Sequence, residues 1–344
     1  MDNLTHSLFG LTLARAGAGR GVPYATATLV LASNAPDADI VTALFGGIDY
    51  LAAHRGPTHG PLGVVGLGLV TAGLVAAWAR WRGSRREGGA SPVTTASVAR
   101  WAGLAMIGIV GHALMDLPTV YGTRIFSPFS GTWFALDWMP IIDVLLWAAL
   151  VGTLIAGRLT SQRRRWALIG LALMACDYAA RAALHQQALG QGALFDAAGV
   201  GAPCAAAPTL VAHRGFVERQ VGHPTACLAA AALPTFVSPF TWRIVRQSAA
   251  GYEISDRSVL DPASPLRSTR LTSDAGPDVA RVRDTRAGQV YFAFARFPIA
   301  RVTARTPATT VRLFDARFIG LPTNDELDEA RTSLSVTVTL PASH

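Results

Sequence analysis

The sequence predicts an α-helical polytopic membrane bundle followed by a C-terminal β-rich extramembrane domain. Three observations carry that reading. Apolar stretches near the ~20 residues that cross a bilayer recur through the first half. Charge, Pro and Thr rise after about residue 190, and short β-branched runs punctuated by Pro, Gly and Asp fill the end. The 344 residues therefore divide into a membrane-embedded helical domain over 1–190 and a soluble β-rich domain over 191–344.

Taken in order, 4–15 is an apolar helix too short to cross alone, and 22–44 is long enough but carries Asp37 and Asp39 in its second half. Both read as helices leaning into the bundle, with their polar ends at one surface. Four spans follow, at 61–81, 98–118, 138–157 and 166–184. Beyond them, 290–297, 310–318 and 334–340 read as strands, with 252–255 a shorter candidate. No catalytic constellation is visible in that half. The start lacks a basic region followed by an uninterrupted apolar core, so no cleavable signal peptide is expected and the protein reads as integral.

The formal net charge is +8, and all 30 basic residues are Arg. They are scattered or grouped beside apolar spans, which is not the footprint of a nucleic-acid-binding protein. Arg80, Arg82, Arg85 and Arg86 follow the first span, and Arg158, Arg163, Arg164 and Arg165 separate the third from the fourth. By the positive-inside rule both loops face the cytoplasm. The loop 119–137 and everything after about residue 186 then lie outside, the topology of an inner-membrane protein with a periplasmic C-terminal domain. No CxxC or Cys/His knuckle exists, which excludes a structural zinc ribbon. Cys204 and Cys227 are available to pair if their half is exported.

Four of the eight histidines fall in the first 112 residues, within polar islands cut into apolar sequence. The islands are Asn3-Leu4-Thr5-His6, Asn34 to Asp39, His54 to His59 and His112 to Asp116. Imidazole and carboxylate are costly to leave alone beside hydrocarbon, so their recurrence points to a shared metal or proton site. His112 and Asp116, four apart on a helix, project from one face and can clamp one ion; a helix-end hydrogen bond is the plainer alternative. His54 and His59 flank Arg55-Gly56-Pro57-Thr58, a turn that lets both imidazoles face inward, or an ordinary interfacial loop. Asp37 and Asp39 can bind hard ions, or one can orient a ligand imidazole; otherwise they need Arg55 or the histidines as partners. Under the arginine-based orientation all of these converge on the outer face, with Asp143 one turn into the third span.

Four imidazoles and up to four carboxylates suffice for a site of two or three metal ions. Mixed His and Asp ligation without thiolate fits Zn²⁺ best, with Mn²⁺ or Fe²⁺ as alternatives. An open position on such an ion lowers the pKa of bound water to about 7, so hydrolysis is the default reaction class. Arg55 could hold an anionic substrate such as a phosphate or pair with an aspartate. Asp177, Arg181 and His185 recur at four-residue intervals and read as an intrahelical Asp177–Arg181 pair, with a proton path as the alternative.

Together these residues resemble the YdjM-like inner-membrane metal-dependent hydrolase family, LexA-regulated in some members. The resemblance rests on the four islands and on the stretch from Tyr121-Gly122-Thr123 through Pro128-Phe129-Ser130 to Asp137-Trp138 and Ile141-Ile142-Asp143. It spans about 1–185, and Pro239-Phe240-Thr241-Trp242-Arg243 resembles the start of the exported domain of long members. The family is similar in turn to zinc-dependent phospholipase C, which also uses an HxxxD helix. The resemblance implies His6, Asp37, His54, His59, His112 and Asp116 as ligands, with Asp39 and Asp143 secondary. Asn34-Ala35 departs from the more apolar residues expected before Pro36 and leaves the acids intact.

The resulting expectation is a membrane-bound metal-dependent hydrolase with an outward-facing centre. Its substrate would be a lipid or other small phosphoester or ester arriving laterally from the membrane. Asp37 or Asp39 would accept the proton of the attacking water, with Arg55 alongside. A metal or proton transporter is a competing class, but it predicts polar residues through the whole thickness, where only Asp177 and Arg181 lie near mid-span. A non-catalytic scaffold stapled by a metal would instead have a closed coordination shell.

Overall fold

Helices in the first half begin where a side chain can cap them. Asp2 opens α1 (Asn3–Ala16), its carboxylate accepting the amides of Leu4 and Thr5 at 3.0 Å each, and Gly17 closes it at φ +121°. Asn34 ends α2 (Ala25–Ala32) by donating its side-chain amide to the Val30 carbonyl at 2.8 Å. The helix expected over 22–44 is therefore broken. After Pro36, which has no amide hydrogen to donate, the chain runs as a 3₁₀ segment (Ala35–Phe45) into α3 (Gly47–Ala53). Pro61 starts α4 (Pro61–Ser84), and a Thr94/Ser97 capping box starts α5 (Thr95–Asp116).

The computed structural model describes residues 1–85, 93–194, 204, 211–213, 227–263, 265–304, 308–319 and 334–341. Arg86 of the first arginine group lies outside them. Among the described residues α4, α5 and α7 (Arg163–Leu194) are long and apolar enough to cross a membrane. The span expected at 138–157 shortens to α6 (Val144–Leu159), 16 residues. Its start is set by Asp143, which accepts the amides of Leu145 and Leu146 at 2.9 and 3.1 Å. A helix of that length rises about 24 Å, short of a ~30 Å hydrocarbon core.

Two compact units result. One comprises Met1–Val41, Ala53–Ala135 and Met139–Ala180, the other Thr42–Ala52, Leu136–Trp138 and Arg181–His344. In the first, α5 packs Trp101 and Ala102 against Ala72, Val75, Ala76 and Ala79 of α4, and Ala105 and Ile109 against Ala32 of α2. Small residues bring the backbones close: a Cβ on Gly108 would stand 2.9 Å from the Ala32 Cβ, and one on Gly10 would stand 2.8 Å from the Ser33 Oγ. The exterior is apolar, with Leu62, Val65, Leu69, Val70 and Leu74 of α4 and Ile107, Val110 and Leu114 of α5 exposed. Such a surface suits lipid rather than water.

The ends of this unit differ. At one, Arg164 at the start of α7 donates to the Ala16 carbonyl at the end of α1 (3.2 Å), and Tyr24 lies beside Trp78 of α4 and Trp101 of α5. At the other, Asp2 donates its amide to the Ile141 carbonyl at 3.2 Å, and Trp147 donates to Thr5 Oγ1 at 2.8 Å. The polar islands lie at this second end, away from the arginine group at the start of α7. β1 (Trp133–Ala135) belongs to the loop before α6.

In the second unit, after β2 (Val211–His213), strands β3 (Cys227–Pro234), β4 (Thr241–Ser248), β5 (Gly251–Ser258) and β6 (Arg267–Leu271) form an antiparallel sheet in that order. Trp242, buried, packs with Ile244, Ala232 and Val259 against Ala188 and Leu189 of α7. Cys204 and Cys227 form a disulfide. Helices α8 (Pro277–Asp284) and α9 (Arg286–Phe294) lead into a three-stranded antiparallel sheet of β7 (Pro298–Ala304), β8 (Thr309–Asp315) and β9 (Val336–Leu340).

The strand expected over 290–297 is thus overturned: most of it is α9. Thr285 caps that helix by accepting the Gly288 amide at 3.0 Å, and the residues it buries, Gly288, Tyr291 and Phe294, lie three apart. The expectation at 252–255 falls within β5, 334–340 trims to β9, and 310–318 becomes β8 plus a 3₁₀ turn (Ala316–Phe318).

Candidate metal centre

Three separate stretches bring the site together within the first unit. α5 presents His112 and Asp116 on one face; the turn between α3 and α4 carries His59; the 3₁₀ segment after α2 carries Asp37. The Nε2 atoms of His59 and His112 stand 3.1 Å apart. From Asp116 Oδ2 they are 3.3 and 3.2 Å, and from Asp37 Oδ1 they are 3.8 and 3.5 Å. With ligand bonds of 2.0–2.2 Å, the edges of a tetrahedral zinc shell are about 3.3–3.6 Å. The five distances bracket those edges, and all four atoms lie within 4.8 Å of one another.

Hydrogen bonding assigns the tautomers. His112 Nδ1 lies 2.7 Å from the Ser33 carbonyl, which can only accept, so Nδ1 bears a proton and the neutral ring turns its Nε2 lone pair to the centre. Thr58 Oγ1 donates to Asp39 Oδ2 at 3.1 Å and therefore accepts from His59 Nδ1 at 2.9 Å. His59 Nε2 is then also a lone-pair atom. Two imidazole lone pairs and two carboxylate oxygens converge with no proton assigned between them, and Asp116 Oδ2 is buried without a hydrogen-bond partner. A cation relieves that repulsion, and the donor set suits one.

Charge supports the same reading. Burial lowers the pKa of His59, and lowers that of His6 to about 4, so both are neutral donors at pH 7. Asp37 is the most open of the four, its side chain 15% exposed where the other three are at 0%.

Around these four lie residues that orient them. Asp39 Oδ1 meets His54 Nδ1 at 2.9 Å, while Oδ2 accepts the Arg55 amide at 2.9 Å as well as Thr58. Asp39 thereby folds the His54–His59 turn, in which Arg55 adopts φ +52°. Asp37, Asp39 and His54 also form a second, smaller group with metal-ligand spacing. Arg55 is buried and engaged: it meets Asp116 Oδ1 at 3.1 Å, donates to Thr119 Oγ1 at 2.8 Å and the Gly122 carbonyl at 3.1 Å, and lies over the Tyr121 ring. It neutralises Asp116, the aspartate pairing expected as one of its two roles. The Met1 amino group also meets Asp116 Oδ1.

His6 stacks on His112 with ring centroids 3.7 Å apart, and its Nε2 is 3.5 Å from Asp116 Oδ1. Of the residues expected as ligands, Asp37, His59, His112 and Asp116 share one centre; His6 borders it, and His54 and Asp39 flank its open side. Asp143 instead caps α6. Asp177, Arg181 and His185 lie on α7, the last two buried. Two contributors escape sequence reasoning. The Ser33 carbonyl is backbone and leaves no trace in residue type, and Tyr121 enters only as part of the Tyr121-Gly122-Thr123 stretch, with no contact to Arg55 implied.

A family model described as YdjM inner membrane protein matches residues 1–188, which hold all of these residues. The chain belongs to the YdjM family. No curated protein and no solved structure matches it. The YdjM match covers α1 to α6 and most of α7, and it ends before the sheets. Family membership and three membrane-length helices make this a membrane protein.

Proposed function

We propose that this YdjM-family chain is a metal-dependent hydrolase of the inner membrane. In this reading the helices form a polytopic bundle with the arginine loops in the cytoplasm, so the His/Asp centre faces the periplasm and the sheet domain lies there too. The convergence of His59, His112 and Asp116 in one buried centre, with the more open Asp37 at the position that water can share, supports it best, because a catalytic ion keeps one position accessible. A divalent ion held there, with Zn²⁺ the best match, supplies Lewis acidity and an acidified water.

The chain's own residues supply the rest. His59, His112 and Asp116 are rigidly set, His112 by the Ser33 carbonyl, His59 by Thr58 and Asp116 by Arg55. Substrate enters on the side of Asp37 and His54, whose side chains are 15% and 12% exposed. His54, held by Asp39 at Nδ1, takes the proton of the attacking water at Nε2 and returns it to the leaving oxygen as the ester bond breaks; Asp39 steadies the imidazolium in between. The apolar exterior around this opening favours a phosphoester or ester on a lipid-like molecule.

The test is turnover by full-length protein in lipid nanodiscs, stripped with chelator and reloaded with Zn²⁺, against phosphomonoester, phosphodiester and carboxylic ester lipids. Zn²⁺ should restore hydrolysis of one class, and Asp37→Asn should abolish it. His54→Gln should lower kcat at least 100-fold, the scale of a lost general base. Turnover that persists without metal, or no turnover by fully loaded protein, contradicts the proposal.

A further inference from the structure

In the second unit, the β3–β4 turn and the β5–β6 connection emerge at the same end of the four-stranded sheet, because Thr241 pairs with Ser258 and Asp256 with Arg267. The Val259 amide donates to the Phe240 carbonyl at 2.9 Å and joins the two loops. Their tips carry Phe236, Val237, Phe240, Leu260 and Leu266, exposed at 57, 77, 46, 76 and 62%. Five large apolar side chains on two adjoining loops are an unusual thing for a water-facing domain to leave uncovered.

What covers them follows from α7. It is one continuous helix of 32 residues, of which about 20 suffice to cross a bilayer. Counted from its arginine-rich start, the membrane ends near His185. That residue packs against Trp242, centroids 5.6 Å apart, while Arg246, further along β4, donates to the Gly192 carbonyl at 2.7 Å. β4 thus runs toward the C-terminal end of α7, and the turn before it lies on the His185 side. Gln187 and Gln191 hold the second loop beside the same stretch through the Val259 carbonyl, at 3.2 and 3.3 Å. Arg267, at the tip end of β6, is exposed and cationic, as suits anionic headgroups.

We infer that this apolar tip inserts into the headgroup and upper acyl region of the leaflet at which α7 leaves the membrane, so that the sheet domain rests on the bilayer. The inference rests on α7 spanning the membrane and not on the metal centre.

Full-length protein carrying Cys176→Ser and a single new cysteine is labelled with an environment-sensitive fluorophore. It is reconstituted in phosphatidylethanolamine/phosphatidylglycerol vesicles containing lipids spin-labelled at the headgroup or upper chain. Val237→Cys and Leu260→Cys should show blue-shifted emission and quenching severalfold above Ala249→Cys, at the opposite end of the sheet. Leu173→Cys, within α7, reports separately whether that helix spans. Quenching at 173 with water-like emission and no quenching at 237 and 260 overturns the inference. So does shielding at 237 and 260 without lipid quenching, which would mark a protein partner or a second copy instead.

Discussion

Thr58 has a single hydroxyl proton, and it goes to Asp39; that leaves an oxygen lone pair for His59 Nδ1 and so decides which nitrogen of His59 faces the centre. Thr58→Val keeps the shape and removes that link. We expect a loss of about 1–3 kcal/mol from the unsatisfied partners and metal affinity weakened about 10–100-fold, read by competition with a chelating dye; unchanged affinity would show that Thr58 does not set the tautomer. At this scale much was legible beforehand. Asp37, His59, His112 and Asp116 stood out because ionisable groups in apolar sequence need partners. What spacing could not do was divide the labour within the His54–His59 island. Both histidines flank the same turn, and only the direction of the folded loop sends one inward and binds the other to Asp39. Arg55 was open between substrate and aspartate for the same reason, and the structure shows its contacts to Asp116, Thr119 and Gly122.

Between elements, the centre depends on how closely α2 approaches α5. Gly108 permits the contact that carries the Ser33 carbonyl to His112. Gly108→Val should force the helices apart, cost about 1–3 kcal/mol as an overpacked interface, and lower metal occupancy although no ligand is touched; full occupancy with unchanged thermal stability would show that the contact is slack. The long helices were readable because apolar length is their signal. Failures came where capping or a short period competed with that signal. Asp143 starts α6 inside an otherwise apolar run, Pro36 breaks the stretch over 22–44, and in α9 the alternation of Val290, Phe292 and Phe294 suggests a strand although burial follows Gly288, Tyr291 and Phe294. β3, with its run of four alanines, offers no alternation to read.

Across the whole molecule, an apolar helical unit and a sheet-rich unit are built on different cores, and the core of the second includes buried charge. There Asp315 is buried and accepts the amides of Arg296 and Arg317 at 2.8 and 2.9 Å and the Arg317 side chain at 3.0 Å. Burial acts to raise its pKa, but the charge and hydrogen bonds of Arg317 prevail and hold it below the ordinary value. Because the folded pKa is the lower one, its stabilisation is complete above the unfolded value of about 3.9 and drains away as pH falls from there through the folded pKa. Hydrogen-exchange protection of β8 in the full chain should therefore hold from pH 7 to 5 and decline below about pH 4. Asp315→Asn, which removes the charge opposite the buried Arg317, should cost about 3–5 kcal/mol at neutral pH. Protection independent of pH would contradict this account of the pair. The division into helical and sheet halves was legible from composition, because apolar length marks the first and β-branched runs between Pro, Gly and Asp mark the second.

The central claim is that Asp37, His59, His112 and Asp116 hold a metal ion, and the metal content of the purified full-length protein tests it most directly. Wild type should retain a stoichiometric divalent ion, with His59→Ala and His112→Ala each losing it while Asp143→Asn keeps it. Full occupancy in both histidine variants, or a wild type that takes up no divalent metal when it is supplied, would contradict the account.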